Sequence, residues 1–181
     1  LQHGSSRILK AMRRGINREK TVNLINEIRS QIPSIAIRTT LICGYPGETE
    51  GDFQEMFDWV KAMKFDRLGV FCYSHEENTH AFNFNDDVSE SIKQERAEQI
   101  MDAQANISYQ LNQEKVGRIF RVLIDRVEGD FFVGRTEFDS PDVDNEVFIK
   151  KNDVTYLPIG EFFNVKIIRA DYFDLFGEVI S

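Results

Sequence analysis

Gly44-Tyr45-Pro46-Gly47-Glu48 is the stretch in which residue type and spacing come closest to chemistry. It breaks off the β-branched and apolar run Ile35–Cys43, and a helix start follows at Thr49. Strand, glycine-bearing turn and helix N-terminus, in that order, hold ligands at the carboxyl ends of strands in α/β proteins. Glycine lets a backbone approach closely, and the free amides of a new helix attract polar or anionic groups. The turn also has a purely steric reading, because many such connections carry Gly and Pro.

Other reactive side chains are more scattered. Cys43 and Cys72 each end an expected strand and stand too far apart for any zinc or iron–sulfur pattern, so they read as buried reduced thiols. No metal ligand is assigned. Tyr73, Ser74 and Glu76 lie at the carboxyl end of a second expected strand, on the side of such folds that carries function. His75 and His80 read as loop residues. Asp139, Asp142, Asp144 and Glu146 gather around Pro141 in one turn. They form either a solvated hairpin or a negative patch suited to a basic protein loop.

The chain has 181 residues, 41% of them hydrophobic and 29% charged, and a net charge of −8. Residues 1–114 hold 13 Lys+Arg against 17 Asp+Glu, and residues 115–181 hold 9 against 13, so both halves are acidic. A general grip on free nucleic acid is disfavoured, and a basic partner fits better. No apolar run is long enough to span a bilayer and no signal-peptide pattern is visible, so no membrane contact and a cytoplasmic location are expected. Leu1-Gln2-His3-Gly4 reads as the end of a strand already in progress, which makes the chain a piece of a longer protein.

The elements that must position these residues follow from periodicity. Short helices are expected over 5–13 and 18–32, the second stopped by Pro33. The strand 35–43 puts Ala36, Arg38, Thr40 and Ile42 on one face, opposite Leu41 and Cys43. Thr49-x-x-Asp52 is a capping-box pattern, opening a helix expected to bury Phe53, Met56, Phe57, Val60 and Met63. A strand over 66–73, a polar loop and a long helix over 89–113 complete the first region. That helix has Ile92, Arg96, Ile100, Ala103, Ile107 and Leu111 along one line. Two strand–loop–helix units imply parallel strands with right-handed crossovers. Beyond Gly117 the period changes: five short strands without a long helix indicate a small closed antiparallel barrel, its many Phe residues filling the core. The domains expected are therefore 1–113 and 114–181.

Three motifs in order resemble one family. Leu1-Gln2-His3-Gly4-Ser5 with Leu9-Lys10-Ala11-Met12-Arg13-Arg14-Gly15, then Gly44-Tyr45-Pro46-Gly47-Glu48-Thr49, then Tyr73-Ser74-x-Glu76-Glu77-x-Thr79 look like the second half of a methylthiotransferase radical-SAM domain. Residues 116–181 look like the TRAM domain that ends those enzymes. Val133-Gly134-Arg135-Thr136-x-x-Asp139-Ser140-Pro141-Asp142-Val143-Asp144 is similar to the RimO-type branch, which modifies a ribosomal protein. The runner-up is the tRNA-adenosine branch, and a non-catalytic protein-binding module is a third reading.

The resemblance implies the C-terminal part of a partial (β/α) TIM-like barrel followed by a five-stranded OB-like barrel. It also implies S-adenosyl-L-methionine and two 4Fe-4S clusters in the full-length parent, which adds a methylthio group to the β-carbon of an aspartate in a small-subunit ribosomal protein. The cluster cysteines would lie upstream of Leu1, so the chain alone is expected to bind no cluster and to be inactive. Gly44, Pro46, Gly47 and Glu48 would line the cofactor, with Gln2, His3 and Tyr73 facing the same cavity. Arg38 and Thr40 would point into the lumen, Arg38 pairing with the cofactor's carboxylate. Glu76, Asp139, Asp142 and Asp144 would meet the substrate protein's basic loop. A truncated parallel sheet bares an apolar edge, so self-association through it is expected.

Overall fold

The structure is a computed structural model that describes residues 1–141, 143–151 and 156–180. The chain divides into two compact units, Leu1–Ile107 and Ser108–Ser181. In chain order the first region holds α1 (Ser6–Ala11), α2 (Arg18–Gln31), β1 (Arg38–Cys43), α3 (Glu50–Met63), β2 (Arg67–Cys72), a 3-10 turn (Ala81–Asn83) and α4 (Glu90–Gln113).

Local chemistry sets these boundaries. The Asn17 side chain accepts the Lys20 amide and starts α2. Thr49 and Asp52 form the capping box expected from their spacing. Lys64, at φ 46°, turns the chain out of α3 in the left-handed region. The crossover through α3 leaves β1 and β2 parallel and in register from Arg38 opposite Arg67 to Cys43 opposite Cys72. Along β1, Thr39, Leu41 and Cys43 are buried while Arg38 and Thr40 are exposed, which is the alternation expected.

Two expected helix faces are corrected. In α3, Trp59 is buried and Phe57 is not, because Trp59 packs edge-on against Phe65 with ring centroids 5.2 Å apart. In α4, Ile92 is exposed, and the buried line runs instead through Lys93, Arg96, Ile100, Gln104 and Ile107. No helix among the described residues is long and apolar enough to cross a membrane.

The second unit contains β3 (Ile119–Glu128), β4 (Phe131–Thr136), β5 (Val147–Lys150), β6 (Phe162–Ala170) and β7 (Leu175–Val179). They close into a barrel in the order β3-β4-β5-β7-β6, with β6 returning to β3. The barrel is mixed rather than antiparallel, since β5 and β7 pair in parallel. Parity requires it: an odd number of strands in a ring cannot alternate direction at every step. The core is mainly aliphatic, with Val122, Ile124, Val147, Ile149, Leu157, Val165, Ile167 and Leu175 meeting inside. That corrects the expectation that phenylalanines fill it. Phe132 alone among them is buried, while Phe131, Phe148 and Phe176 form a row with centroids 5.8 and 5.5 Å apart.

The last turn of α4 packs within this second unit. Asn112 donates to the carbonyls of Asp171 (3.1 Å) and Tyr172 (3.2 Å), and Gln113 donates to that of Ala170 (2.9 Å). The two units therefore divide inside α4, ahead of the boundary expected at Glu114.

Strand packing leaves no room at Gly134, where a Cβ would stand 2.2 Å from the Leu123 carbonyl oxygen and 2.8 Å from a Val122 methyl. Gly134→Ala should destabilise the barrel by about 1–3 kcal/mol, because backbone cannot yield as a flexible side chain does. Thermal denaturation followed by circular dichroism checks this. An unchanged melting temperature would contradict the β3–β4 register.

Candidate functional site

A pocket of about 500 Å³ opens at the carboxyl ends of β1 and β2, a size in the range of small-molecule sites. Thr40 and Ile42 reach it from the open face of β1, and Phe71, Cys72 and Tyr73 from the end of β2. Gln2 lines it too, because its carbonyl accepts the Ile42 amide at 2.9 Å and lays the N-terminal segment beside β1. Tyr45 and Tyr73 meet edge to face at 5.4 Å. The lining is mostly apolar and aromatic. Its polar side chains are those of Gln2, Arg14, Thr40, Ser74, Glu76, Thr79 and His80, with Arg14 Nε donating to Gln2 Oε1 at 2.9 Å.

The loop after β2 closes one side. Glu76 accepts from Ser74 Oγ at 2.5 Å, and its carbonyl accepts from Thr79 at 2.8 Å. His75 stacks on Phe82 at 4.7 Å, with Nδ1 3.1 Å from the Tyr73 hydroxyl. The polar sequence of this loop thus carries its own internal order.

Behind the pocket lies a buried ionic network. The Glu48 side chain is fully buried, and its Oε2 accepts from the Gly44 amide at 2.8 Å and the Tyr45 amide at 3.3 Å. His3 Nε2 lies 3.2 Å from the same oxygen, while its Nδ1 accepts the Ser5 amide at 2.9 Å. That second bond assigns the ring proton to Nε2, which donates to Glu48. Arg96 Nη1 donates to Glu48 Oε1 at 2.8 Å. Gly44, at φ 76°, adopts a conformation that side-chain-bearing residues rarely take.

A second cluster braces the other end of the turn. Asp52 accepts from Ser5 Oγ at 2.8 Å, from Thr49 Oγ1 at 2.5 Å and from the Arg7 guanidinium. Burial alone would raise its pKa, but the bonds from Arg7, Thr49 and Ser5 outweigh it and hold the carboxyl well below the usual range. Arg7 also donates to the Gly47 carbonyl at 2.6 Å, and the Gly47 amide donates to Asp87 at 2.7 Å.

Of the residues expected from sequence, Gln2, Thr40, Tyr73 and Glu76 converge on the pocket. Gly44, Pro46, Gly47, His3 and Glu48 are not among its lining; they form the braced turn and network behind it. Arg38 shares the open face of β1 with Thr40 but sits at the opposite end of the strand, and does not line the pocket. Arg14 lines it instead. In the sequence Arg14 stood only within the motif Leu9–Gly15, with no role of its own assigned. Cys43 and Cys72, distant in sequence, are register partners. Burial, with the Glu48 carboxylate nearby, pushes the Cys43 thiol up to about 12, and burial raises that of Cys72 as well.

In the second unit, Asp139 is buried and accepts from Thr136 Oγ1 at 2.5 Å, and Asp144 accepts the Ser140 amide at 2.8 Å. Both carboxylates therefore hold the turn together. Glu146 pairs with Arg126 at 2.5 Å, which lowers its pKa. Asp142 lies outside the described residues.

Among the described residues no cluster of three or more His, Cys, Asp or Glu is placed to hold a metal ion. Two cysteines cannot supply the three converging thiolates of a radical-SAM cluster, so the residues present do not fit one. The largely apolar pocket with a few polar groups does fit a nucleoside-sized organic cofactor.

Residues 1–60 match the radical SAM superfamily and residues 116–180 match the TRAM domain. A protein from Christiangramia forsetii, named ribosomal protein uS12 methylthiotransferase RimO, is 58% identical over 181 residues, covering 100% of this chain and 40% of the relative. Identically named proteins from Flavobacterium johnsoniae and Cytophaga hutchinsonii are 59% and 54% identical, over 98% and 100% of the chain and 40% and 41% of the relatives. The chain thus spans about two-fifths of the length of the curated relatives it matches.

Two outcomes are expected from this geometry. Asp52→Asn should lower the melting temperature at neutral pH, and its deficit should shrink as pH falls below about 4. The carboxylate's depressed pKa stabilises the fold above the unfolded-state value, and this is lost as pH falls through the folded one. A deficit that stays constant from pH 7 to pH 3 would contradict the Asp52 cluster. At pH 8, Cys43 should escape iodoacetamide in the native chain and react after denaturation, as peptide mass spectrometry will read. Equal native and denatured labelling would contradict its burial.

Proposed function

Because this chain belongs to the RimO-type radical SAM methylthiotransferase family, we propose that it forms one wall of the S-adenosylmethionine site and the TRAM end of such an enzyme. The parent then adds a methylthio group to the β-carbon of an aspartate in a ribosomal protein, with S-adenosylmethionine and two 4Fe-4S clusters. The single observation that carries this reading is the pocket at the ends of β1 and β2. It gathers Gln2, Thr40, Tyr73 and Glu76 from three separated segments of a chain aligned over its whole length with proteins named for this activity.

The cofactor supplies the radical and the methyl group; this chain's residues bind, orient and exclude water. Ile42, Tyr45 and Tyr73 offer the apolar and aromatic surface that suits an adenosyl group. Gln2 and Thr40 offer hydrogen bonds, and Arg14, rather than Arg38, is the guanidinium at the rim for a carboxylate. The Gly44–Glu48 turn keeps Tyr45 in place from behind. Glu76, exposed on the loop after β2, faces the substrate side, where a carboxylate favours a basic protein loop. Asp139 and Asp144 serve the substrate indirectly, by shaping the turn between β4 and β5.

The cysteine count leaves cluster chemistry to segments outside this chain, which by itself is inactive in this reading. In the full-length parent, Thr40→Val and Arg14→Gln should each raise KM for S-adenosylmethionine by about tenfold, the value of one hydrogen bond lost in a dry site. Mass spectrometry of the ribosomal protein after reaction should show one methylthio group on an aspartate. A parent that leaves the protein unmodified and instead methylthiolates tRNA adenosine places the chain in the sister branch. A parent that modifies neither, though loaded with clusters, leaves the binding-module reading.

A further inference from the structure

Among the described residues, Lys93 and Arg96 are the only lysine and arginine that are buried, at 3% and 6% exposure. Taking a cation out of water is costly unless its partners are well placed, so two on one helix call for a reason. They stand three positions apart on α4 and so project from the same side. Each reaches one of the two loops that frame the pocket.

Arg96 holds the turn after β1. Its Nη1 donates to Glu48 Oε1 at 2.8 Å and to the Glu48 carbonyl at 3.3 Å, while Nη2 donates to Glu50 at 3.1 Å. The guanidinium also lies 5.4 Å from the centre of the Phe53 ring, so it grips the first turn of α3 as well. Lys93 holds the loop after β2 at both ends. Its Nζ donates to the Tyr73 carbonyl at 3.3 Å and to Asp86 at 2.8 Å, and sits 5.3 Å from the Tyr73 ring. The Lys93 methylenes fill the place of the side chain that Gly44 lacks, since a Cβ there would stand 2.2 Å from Lys93 Cγ. Lys93 is thus in touch with both loops. Tyr45 and Tyr73, whose rings meet edge to face at 5.4 Å, are among the residues those loops deliver to the pocket.

We infer that Lys93 and Arg96 are positioning residues: from behind, they set the separation of the Gly44–Glu48 turn and the Tyr73–Asp86 loop, and so the affinity of the pocket for its adenosyl ligand. Neither lines the pocket, so the effect passes through the two tyrosines and the backbone that carries them. The inference rests on reading the pocket as part of the S-adenosylmethionine site.

The test uses the full-length parent with Arg96→Gln and Lys93→Met, which keep an unbranched stem and remove the charge, and Arg96→Lys as the conservative variant. Glu55→Gln, in the Arg18–Glu55 surface pair at 3.0 Å, controls for loss of an ion pair elsewhere. Equilibrium dialysis with labelled S-adenosylmethionine, steady-state kinetics, melting temperature and amide hydrogen exchange are read together. Arg96→Gln and Lys93→Met should each weaken binding about tenfold and raise KM in step, with kcat at saturation nearly kept, the expected cost of a small misplacement. Arg96→Lys should recover most of the affinity, and Glu55→Gln should match wild type. Exchange should quicken in 44–48 for Arg96→Gln and in 73–86 for Lys93→Met, with the rest of the unit still protected.

Unchanged affinity and unchanged exchange in those segments overturn the inference. So does a loss of affinity that tracks melting temperature across all variants, Glu55→Gln included, since that is general destabilisation. A wild-type parent that binds no S-adenosylmethionine overturns the pocket reading and the ligand assigned here. The exchange data, which need no ligand, tell that failure apart from the first.

Discussion

A carboxylate taken wholly out of water must be met on every side by donors, and the first unit is organised around one such group. Glu48 receives the Gly44 and Tyr45 amides, the His3 ring proton and the Arg96 guanidinium. These come from the N-terminal segment, the turn after β1 and α4, segments that no local sequence rule brings together. Removing any donor leaves part of a buried charge unanswered, which is why the network has few alternative arrangements. The turn's position, and with it Tyr45, follows from that constraint rather than from glycine alone.

The same requirement explains the character of α4. Its buried line mixes Ile100 and Ile107 with Lys93, Arg96 and Gln104, so its amphipathic pattern is blurred. Gln104 donates to the Phe65 carbonyl at 2.9 Å, which adds a third polar tether along the same helix. Ionic groups lie behind the strand ends and aromatic ones in front, so the pocket itself stays largely apolar. Such a division suits the adenosyl ligand proposed for it, which offers a flat base to apolar surface and a few polar groups to oriented partners.

In the second unit geometry overrides composition. Five strands close a narrow ring, and β-branched and leucine side chains fit its interior better than a set of phenylalanines does. Among the rings outside that interior, Phe148 stacks on Phe176, and Arg169 lies 3.5 Å above the centre of Phe176. Ion pairs such as Arg126–Glu146 and Arg135–Asp125 lie among the strands at 2.5 Å each.

Element types, their order and most of their ends were legible in the residues. The β-branched run before Gly44, the Thr49-x-x-Asp52 box and the change of period after Gly117 are short-range signals, and short-range physics decides strands, caps and turns. Alternation along β1 put Thr40 on its open face, and Tyr73 and Glu76 stood at or just past the end of the next strand, so local signals sufficed to bring these three to one edge. What the sequence could not determine were matters of distance between remote segments. Glu48 looked like a ligand contact because nothing local reveals that His3 and Arg96 enclose it, and Arg14 carried no role of its own because nothing local reveals that Gln2 draws it to the pocket. Asp139 looked like surface charge until Thr136 was seen to take it inward. The direction of β7 against β5 followed from ring closure, a property of five strands together and of no one of them. Periodicity is written along the chain, whereas the partner of a buried charge is chosen across it, and only the tertiary structure makes that choice.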